Sequence, residues 1–183
     1  MTLIVYKKYK NKTILASDRQ TTWDGFIEND NCVKIEHYGN YVFAGGGACS
    51  SVPIFKRALQ AASKKEGSLD INLSEEETGI VKTDDKEHDT DQFGSYILLQ
   101  LDSMGIAQEA LYVEVGYNIS VQNLKIEQQE LAVIGSGTKS FLGAFISKKK
   151  DTWEQTLKAV KDAMIDTSKV NIYCNDNIDM RVF

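Results

Sequence analysis

The order in which strand-like and helix-like segments follow one another constrains this fold most. Short apolar runs separated by a polar turn occupy residues 2–9 and 12–17, and the chain then continues as strands, one helix, strands, two helices and strands. Strands grouped in this way favour two sheets that pack on one another and carry helices on their outer faces. The chain is therefore predicted to be α+β, with two antiparallel sheets flanked by helices.

The individual elements follow from apolar periodicity and from the turn residues between them. The predicted strands are 2–9, 12–17, 32–37, 41–44, 96–101, 106–113, 118–121, 170–174 and 178–183. The predicted helices are 49–64, with Pro53 in its first turn, 138–147, and 152–165, with Asp151 as its N-cap. Neither an internal repeat nor a Pro-rich or Ser-rich linker divides the sequence, which predicts one domain over residues 1–183.

An acidic segment at about 66–92 interrupts this pattern. It is rich in aspartate and glutamate and poor in aromatic residues, which predicts a variable loop or a short solvated helix. A calcium loop would require alternating ligand positions and a central glycine. Because the acidic run from Asp84 to Asp91 contains no glycine, an acidic surface is predicted there.

Charge and cysteine content exclude several classes of function. Lysine and arginine number 21 against 26 aspartates and glutamates, so a general affinity for nucleic acid or anionic membranes is not expected. Charges appear too early for a secretory signal, and no apolar run is long enough to span a bilayer, which predicts a cytoplasmic protein. Cys32, Cys49 and Cys174 are scattered, and His37 and His88 lack a partner at a suggestive interval. Buried free thiols and no metal site are expected.

Thr2 is the candidate nucleophile. Removal of Met1 would leave a threonine whose hydroxyl and free α-amine belong to one residue. An amine with a pKa of about 7.7 to 8.0 is well suited to accept the hydroxyl proton. Asp18 follows 16 residues later and Lys34 another 16, both near predicted strand ends. If the first hairpin folds back, Asp18 returns to the level of Thr2, and a third strand can bring Lys34 close.

Five motifs in register resemble those of proteasome β-subunits, and the bacterial HslV peptidases are the most similar members. The resemblance covers nearly the whole chain, with the acidic segment as the part lacking a counterpart. The motifs are Thr2-Leu3-Ile4-Val5, Ala16-Ser17-Asp18-Arg19-Gln20-Thr21-Thr22, Val33-Lys34-Ile35, Ala44-Gly45-Gly46-Gly47-Ala48 and Ile134-Gly135-Ser136-Gly137.

The resemblance implies the N-terminal nucleophile hydrolase fold, a four-layer αββα sandwich, and threonine endopeptidase activity. It makes Thr2 the nucleophile after loss of Met1, Lys34 the cation that lowers the pKa at the active centre, and Asp18 the acid that orients Lys34. Ser136 would complete the proton network near the amine. The oxyanion hole would be formed by backbone N–H groups of Gly45, Gly46 and Gly47.

The resemblance also implies an assembly. Subunits would form rings of six or seven, single or stacked in pairs, and an ATP-driven unfoldase would feed unfolded polypeptide into the chamber. No metal or organic cofactor is implied. Asp162, Asp166 and Ser168 compete for the supporting roles that the family places near the last pair of strands.

Two alternatives stay open at the sequence level. The first is a proteasome-like assembly or binding protein that retains Met1 and has lost catalysis. The second is a small-molecule amidase of the same N-terminal nucleophile class. Nucleotide binding at residues 135–140 is rejected, because a phosphate loop needs a glycine directly before the lysine and a longer glycine spacing.

Overall fold

The computed structural model describes residues 2–23, 26–47, 51–62, 94–115, 119–123 and 130–183. Met1 and the acidic segment at 66–92 lie outside this part of the chain. The strands are β1 (Leu3–Tyr9), β2 (Lys12–Asp18), β3 (Thr21–Trp23), β4 (Phe26–Asn29), β5 (Ile35–Tyr38), β6 (Tyr41–Gly47), β7 (Gly94–Leu101), β8 (Ala107–Val115), β9 (Ile119–Asn123), β10 (Leu131–Gly135) and β11 (Ile178–Val182). The helices are α1 (Ser51–Ala62), α2 (Thr138–Ile146) and α3 (Trp153–Ser168).

The first sheet is built around the N-terminal hairpin. Its four antiparallel strands have the order β10-β1-β2-β11, so β1 and β2 occupy the two central places. β1 begins with four consecutive buried apolar residues, as expected for a strand that is covered on both faces. The hairpin predicted over residues 2–17 is confirmed.

The second sheet has five antiparallel strands in the order β5-β6-β7-β8-β9. Each strand pairs with its neighbour in sequence, so the sheet is a simple meander. The short β3–β4 hairpin forms a separate two-stranded ribbon. This ribbon was not predicted from the sequence.

Three apolar clusters order the elements in layers. One cluster joins Ile4 and Tyr6 of the first sheet to residues such as Val42 and Ile97 of the second sheet. A second cluster lies between the other face of the first sheet and helices α2 and α3. A third lies between the second sheet and α1, where Phe55 is fully buried. The sequence of layers is therefore helices, sheet, sheet, helix, and the predicted α+β fold class is confirmed.

Two local predictions were wrong. Residues 170–174 were predicted as a strand but form turns, because the side chain of Asn171 accepts a hydrogen bond from the N–H of Tyr173 and the carbonyl of Asn171 accepts one from Cys174. The N-cap of α3 is Thr152 rather than Asp151, since the Thr152 hydroxyl accepts a hydrogen bond from the backbone of the third helical residue. No helix in the described ranges has the length and apolar character needed to cross a membrane.

Candidate active site

Thr2, Asp18 and Lys34 meet in one buried cluster. Lys34 Nζ donates to Thr2 Oγ1 at 2.6 Å and to Asp18 Oδ1 at 2.8 Å. Thr2 Oγ1 in turn donates to Asp18 Oδ1 at 3.1 Å. The three polar groups thus form a closed triangle, although Lys34 lies 32 residues from Thr2 in sequence.

Strand register produces this triangle. Ile4 of β1 pairs with Ser17 of β2, so the last residue of β2 returns to the level of the chain's beginning. Asp18 itself pairs with Ile178 of β11, which fixes it inside the sheet and not at an edge. Lys34 directly precedes β5 in the opposing sheet. The short-range hairpin and the packing of the two sheets therefore both contribute to the site.

The carboxylate of Asp18 is fully occupied by donors. Its Oδ1 accepts from the backbone N–H of Leu3 at 2.7 Å, in addition to Thr2 and Lys34, and its Oδ2 accepts from the N–H of Gln20 at 3.2 Å. A carboxylate with this many donors is held in one orientation. Asp18 is thus suited to position Lys34 and the start of β1.

The electrostatics of the cluster follow from its burial. The side chains of Lys34 and Asp18 are 6% and 1% exposed, respectively. At such low exposure the interaction between charges is stronger than in bulk water. The nearest group to the Thr2 oxygen is an ammonium that donates to it, and such a donor favours the deprotonated form of a hydroxyl.

Two glycines allow the backbone to approach Thr2. A Cβ at Gly46 would lie 2.2 Å from Cγ2 of Thr2, and a Cβ at Gly135 would lie 1.9 Å from the carbonyl oxygen of Thr2. Gly135 also has a φ of +105°, which disfavours other residues. Of the three predicted oxyanion glycines, Gly46 contacts Thr2, Gly45 lies under the ring of Tyr96, and Gly47 is exposed at the end of β6.

Asn175 connects the segment that follows Asp18 to the loop that leads to Lys34. Its side-chain oxygen accepts from the N–H of Arg19, next to Asp18, at 3.1 Å. Its side-chain nitrogen donates to the carbonyl of Asp30, in the loop that leads to Lys34, at 2.7 Å. Asn175 was not predicted as a site residue, because residues 170–174 were predicted as a strand. The turn-forming run of Asn175, Asp176 and Asn177 was the available signal.

Gln20 was also missed and performs a similar function. Its side chain is buried and donates to the carbonyl of Ile172 at 2.7 Å, while its own N–H donates to Asp18. The segment between α3 and β11 therefore supports the Asp18 end of β2 from two directions.

Ser136 lies near the cluster but has other partners. Its carbonyl accepts from the side chain of Asn171 at 3.0 Å. Within the described part of the chain it makes no hydrogen bond to Thr2. Burial raises the pKa of the Cys174 thiol to about 11, and the charge of Asp18 adds to the increase.

The three predicted support residues lie along α3, away from the triangle. Asp162 pairs with Lys158 one turn earlier. Asp166 pairs with Lys148 at 2.8 Å and with Lys169 at 3.2 Å, and the hydrogen bond from Lys148 lowers its pKa. The hydroxyl of Ser168 donates to the carbonyl of Ile165 within the same helix at 2.8 Å. The structure does not bring these side chains to Thr2.

A cavity of about 160 Å³ opens beside Thr2. The β3–β4 ribbon, the loop before β5, strand β6 and the first turn of α1 form its walls. Cys32 and Lys34 also line it. In the described residues, no cluster of histidine, cysteine or acidic side chains is arranged to hold a metal ion.

Comparison with solved structures identifies the fold. No protein-family profile matches the sequence, and no curated protein matches it either. The eukaryotic HslV of Trypanosoma brucei superposes with a TM-score of 0.69 at 18% identity, covering 99% of this chain and 98% of that one. The BPH protein of Thiobacillus denitrificans, solved in complex with epoxomicin, gives a TM-score of 0.65 at 16% identity, covering 100% and 98%. A second structure of BPH from T. denitrificans superposes with a TM-score of 0.64 at 15% sequence identity, covering 100% of this chain and 97% of that one. The fold expected from the resemblance is therefore confirmed over the whole chain.

Proposed function

We propose that this chain is a threonine-type peptidase in which Thr2, freed by removal of Met1, is the nucleophile. The observation that carries the proposal is the buried triangle. In it the Lys34 ammonium donates to the Thr2 oxygen, and the Asp18 carboxylate accepts hydrogen bonds from both groups. A buried hydroxyl whose oxygen faces a fixed cation beside an open cavity is poised for attack on a carbonyl carbon.

The reaction would proceed in two halves. Thr2 Oγ1 attacks the peptide carbonyl while its proton passes to the α-amine of the same residue, and the ammonium of Lys34 stabilises the negative charge that develops on the oxygen. The protonated amine then gives that proton to the leaving nitrogen, and an ester to Thr2 remains. Water, deprotonated by the same amine, hydrolyses the ester and restores the free hydroxyl.

Backbone N–H groups of Gly45 to Gly47 are the proposed oxyanion donors. Gly46 contacts Thr2, so the peptide groups on either side of it are close to the attacking oxygen. Loss of one such donor typically costs ~10²–10³ in rate. Ser136 is proposed to assist proton transfer near the amine, and the hydrogen bond from Asn171 to its carbonyl would hold this residue next to the end of β10.

The assembly implied by the family resemblance is part of the proposal. We infer a homo-oligomeric ring of six or seven subunits that encloses the sites, with unfolded polypeptide as the substrate and an ATP-dependent unfoldase as the partner. A cytoplasmic location is consistent with this inference. The fold shared with HslV of T. brucei and BPH of T. denitrificans supports the general architecture.

Intact mass spectrometry tests the nucleophile. Protein from its native host is measured before and after exposure to a threonine-directed epoxyketone, with the Thr2→Ala variant as the control. Loss of Met1 and one covalent adduct per chain are expected for the natural protein, and no adduct is expected for the variant.

The alternatives predict other results. A protein that keeps Met1 and forms no adduct would be a non-catalytic assembly or binding protein with this fold. A protein that forms the adduct but hydrolyses small amides and not peptides would be a small-molecule amidase. Full peptidase activity in Thr2→Ala would exclude Thr2 as the nucleophile.

A further inference from the structure

The cavity beside Thr2 is shaped by a rigid aromatic floor. Because Gly45 has no side chain, the ring of Tyr96 lies across it, at the place where a Cβ would be only 1.9 Å from the ring. Tyr96 is fixed by stacking on Phe55 at a centroid distance of 4.2 Å and by a 2.5 Å hydrogen bond to the hydroxyl of Ser51. Phe43 lies beside it at 6.4 Å. Tyr96 is only 1% exposed, so it supports the cavity from beneath Gly45.

The walls of the cavity carry two carboxylates, Glu28 on β4 and Glu36 on β5. Glu36 forms an ion pair with Lys56 of α1 at 2.6 Å. Glu28 is exposed and forms no ion pair with any residue in the described ranges.

The charge balance of the cavity follows from these pairs. The positive charge of Lys34 is matched by Asp18, and that of Lys56 is matched by Glu36. Glu28 remains as the unpaired charge among these side chains, so the charged side chains of the cavity wall sum to a negative charge. A cationic side chain would find a partner there, and an acidic one would be repelled.

We propose that this cavity receives the side chain of the residue that supplies the scissile carbonyl, and that it selects lysine or arginine. The aliphatic stem of such a side chain would pack on Val33, which lines the cavity and is 50% exposed. Its cationic head would reach the carboxylate of Glu28. This inference rests on the proposed peptidase function, because only an acyl-enzyme on Thr2 brings that residue to this cavity.

Hydrolysis of three matched fluorogenic tripeptides tests the preference. The peptides differ only in the residue before the cleaved bond, which is arginine, leucine or glutamate, and active sites are counted by epoxyketone adducts. The order of kcat/KM is expected to be arginine, then leucine, then glutamate. Glu28→Gln should lower kcat/KM for the arginine peptide about two- to fivefold, the range of an exposed ion pair, and leave the leucine peptide unchanged.

Two further variants separate charge from structure. Glu28→Lys should reverse the order of the arginine and glutamate peptides, which a merely structural role of Glu28 would not do. Glu130→Gln removes the same charge at the opposite end of β1, where Glu130 pairs with Lys7, and should change none of the three rates. The reversal and the arginine preference should both weaken at high salt.

The outcomes distinguish this inference from the proposed function. Adduct formation together with equal or faster cleavage of the glutamate peptide would overturn the cationic preference and leave the peptidase intact. The preference would also be overturned if Glu28→Lys retained the natural order. Absence of both adduct and hydrolysis would overturn the peptidase function and, with it, this inference.

Discussion

Replacing Gly46 by alanine should damage the candidate active site through a single methyl group. The new Cβ would lie 2.2 Å from Cγ2 of Thr2 and 3.0 Å from its Cβ, whereas carbon atoms in contact are normally about 3.5–4.0 Å apart. The Thr2 side chain cannot rotate away without loss, because its oxygen is held by Lys34 at 2.6 Å and by Asp18 at 3.1 Å. Either β6 moves away from Thr2 or the oxygen leaves its partners.

The size of the effect follows from the overlap. Overpacking of this kind costs about 1–3 kcal/mol of folding stability. For a domain of this length, each 1 kcal/mol lowers the melting temperature by about 2–4 °C. A displacement of about 1 Å at a reacting atom costs on the order of 10²-fold in rate. Gly46→Ala should therefore melt a few degrees lower and react with an epoxyketone about a hundredfold more slowly.

Gly143→Ala is the matched control. It is the same chemical change in the interior of α2, where a Cβ would meet nothing within 4 Å. Alanine is favoured over glycine in a helix by about 0.5–1 kcal/mol. This variant should therefore melt slightly higher and keep the natural rate of adduct formation.

A second substitution identifies the colliding atom. Thr2→Ser removes Cγ2, which leaves Thr2 Cβ at 3.0 Å and Oγ1 at 3.6 Å as the nearest atoms to the added methyl group. The double variant with Gly46→Ala should therefore react at a rate near that of Thr2→Ser alone. Natural stability and reactivity in Gly46→Ala, or a double variant as slow as Gly46→Ala, would refute the close contact.

Three further perturbations test the surroundings of the site. Lys34→Met should lower the free energy of unfolding in guanidinium by about 3 kcal/mol, because it leaves the buried carboxylate of Asp18 without its cation. Addition of Asp18→Asn should restore part of the stability but none of the reactivity toward the epoxyketone. A Lys34→Met variant that is as stable and reactive as the natural protein would contradict this prediction. Asn175→Ala removes two hydrogen bonds, so it should lower the free energy of unfolding by about 1–2 kcal/mol and slow adduct formation. An unchanged stability and an unchanged rate of adduct formation would exclude a positioning role for Asn175. Burial raises the pKa of Tyr6 from 10.0 to about 12 and that of Cys174 from 9.0 to about 11. The folded state then holds these protons longer than the unfolded state, so stability should fall above about pH 9 because of Cys174 and above about pH 10 because of Tyr6, by up to about 1.4 kcal/mol per pH unit for each group. Unfolding measured between pH 8 and 11 should show a smaller decrease in Cys174→Ala, and an equal decrease would show that this thiol is not involved.

Local patterns predicted the elements that have a buried face. The N-terminal hairpin, the strands of the meander and the helices within 138–168 were found because their apolar residues recur with strand or helix periods. The β3–β4 ribbon was missed because all four residues of β4 are exposed, so no alternation marks it. The dipeptide Asp24-Gly25 in its sequence is a common hairpin-turn signal and could have indicated it.

Contacts between residues far apart in sequence could not be predicted for the candidate site. The first hairpin and the next strand predicted that Thr2, Asp18 and Lys34 lie close together, and their side chains do meet. Their catalytic roles stay a prediction. Asn175 approaches Arg19 across 156 positions, and no spacing rule connects residues so far apart. Only chemical type and approximate position in the sequence suggested Asp162, Asp166 and Ser168. All three lie on α3, where their side chains pair with Lys158, with Lys148 and Lys169, and with the carbonyl of Ile165, respectively.

The order of strands in the first sheet has a consequence for synthesis of the protein. Thr2, the candidate nucleophile, precedes the first hairpin, but the two strands that flank this hairpin are β10 (Leu131–Gly135) and β11 (Ile178–Val182). At typical translation rates, roughly 10–40 s separate the appearance of Thr2 from that of β11. A nascent chain on the ribosome therefore cannot pair Asp18 with Ile178, or complete the first sheet, until the end of β11 has been synthesised.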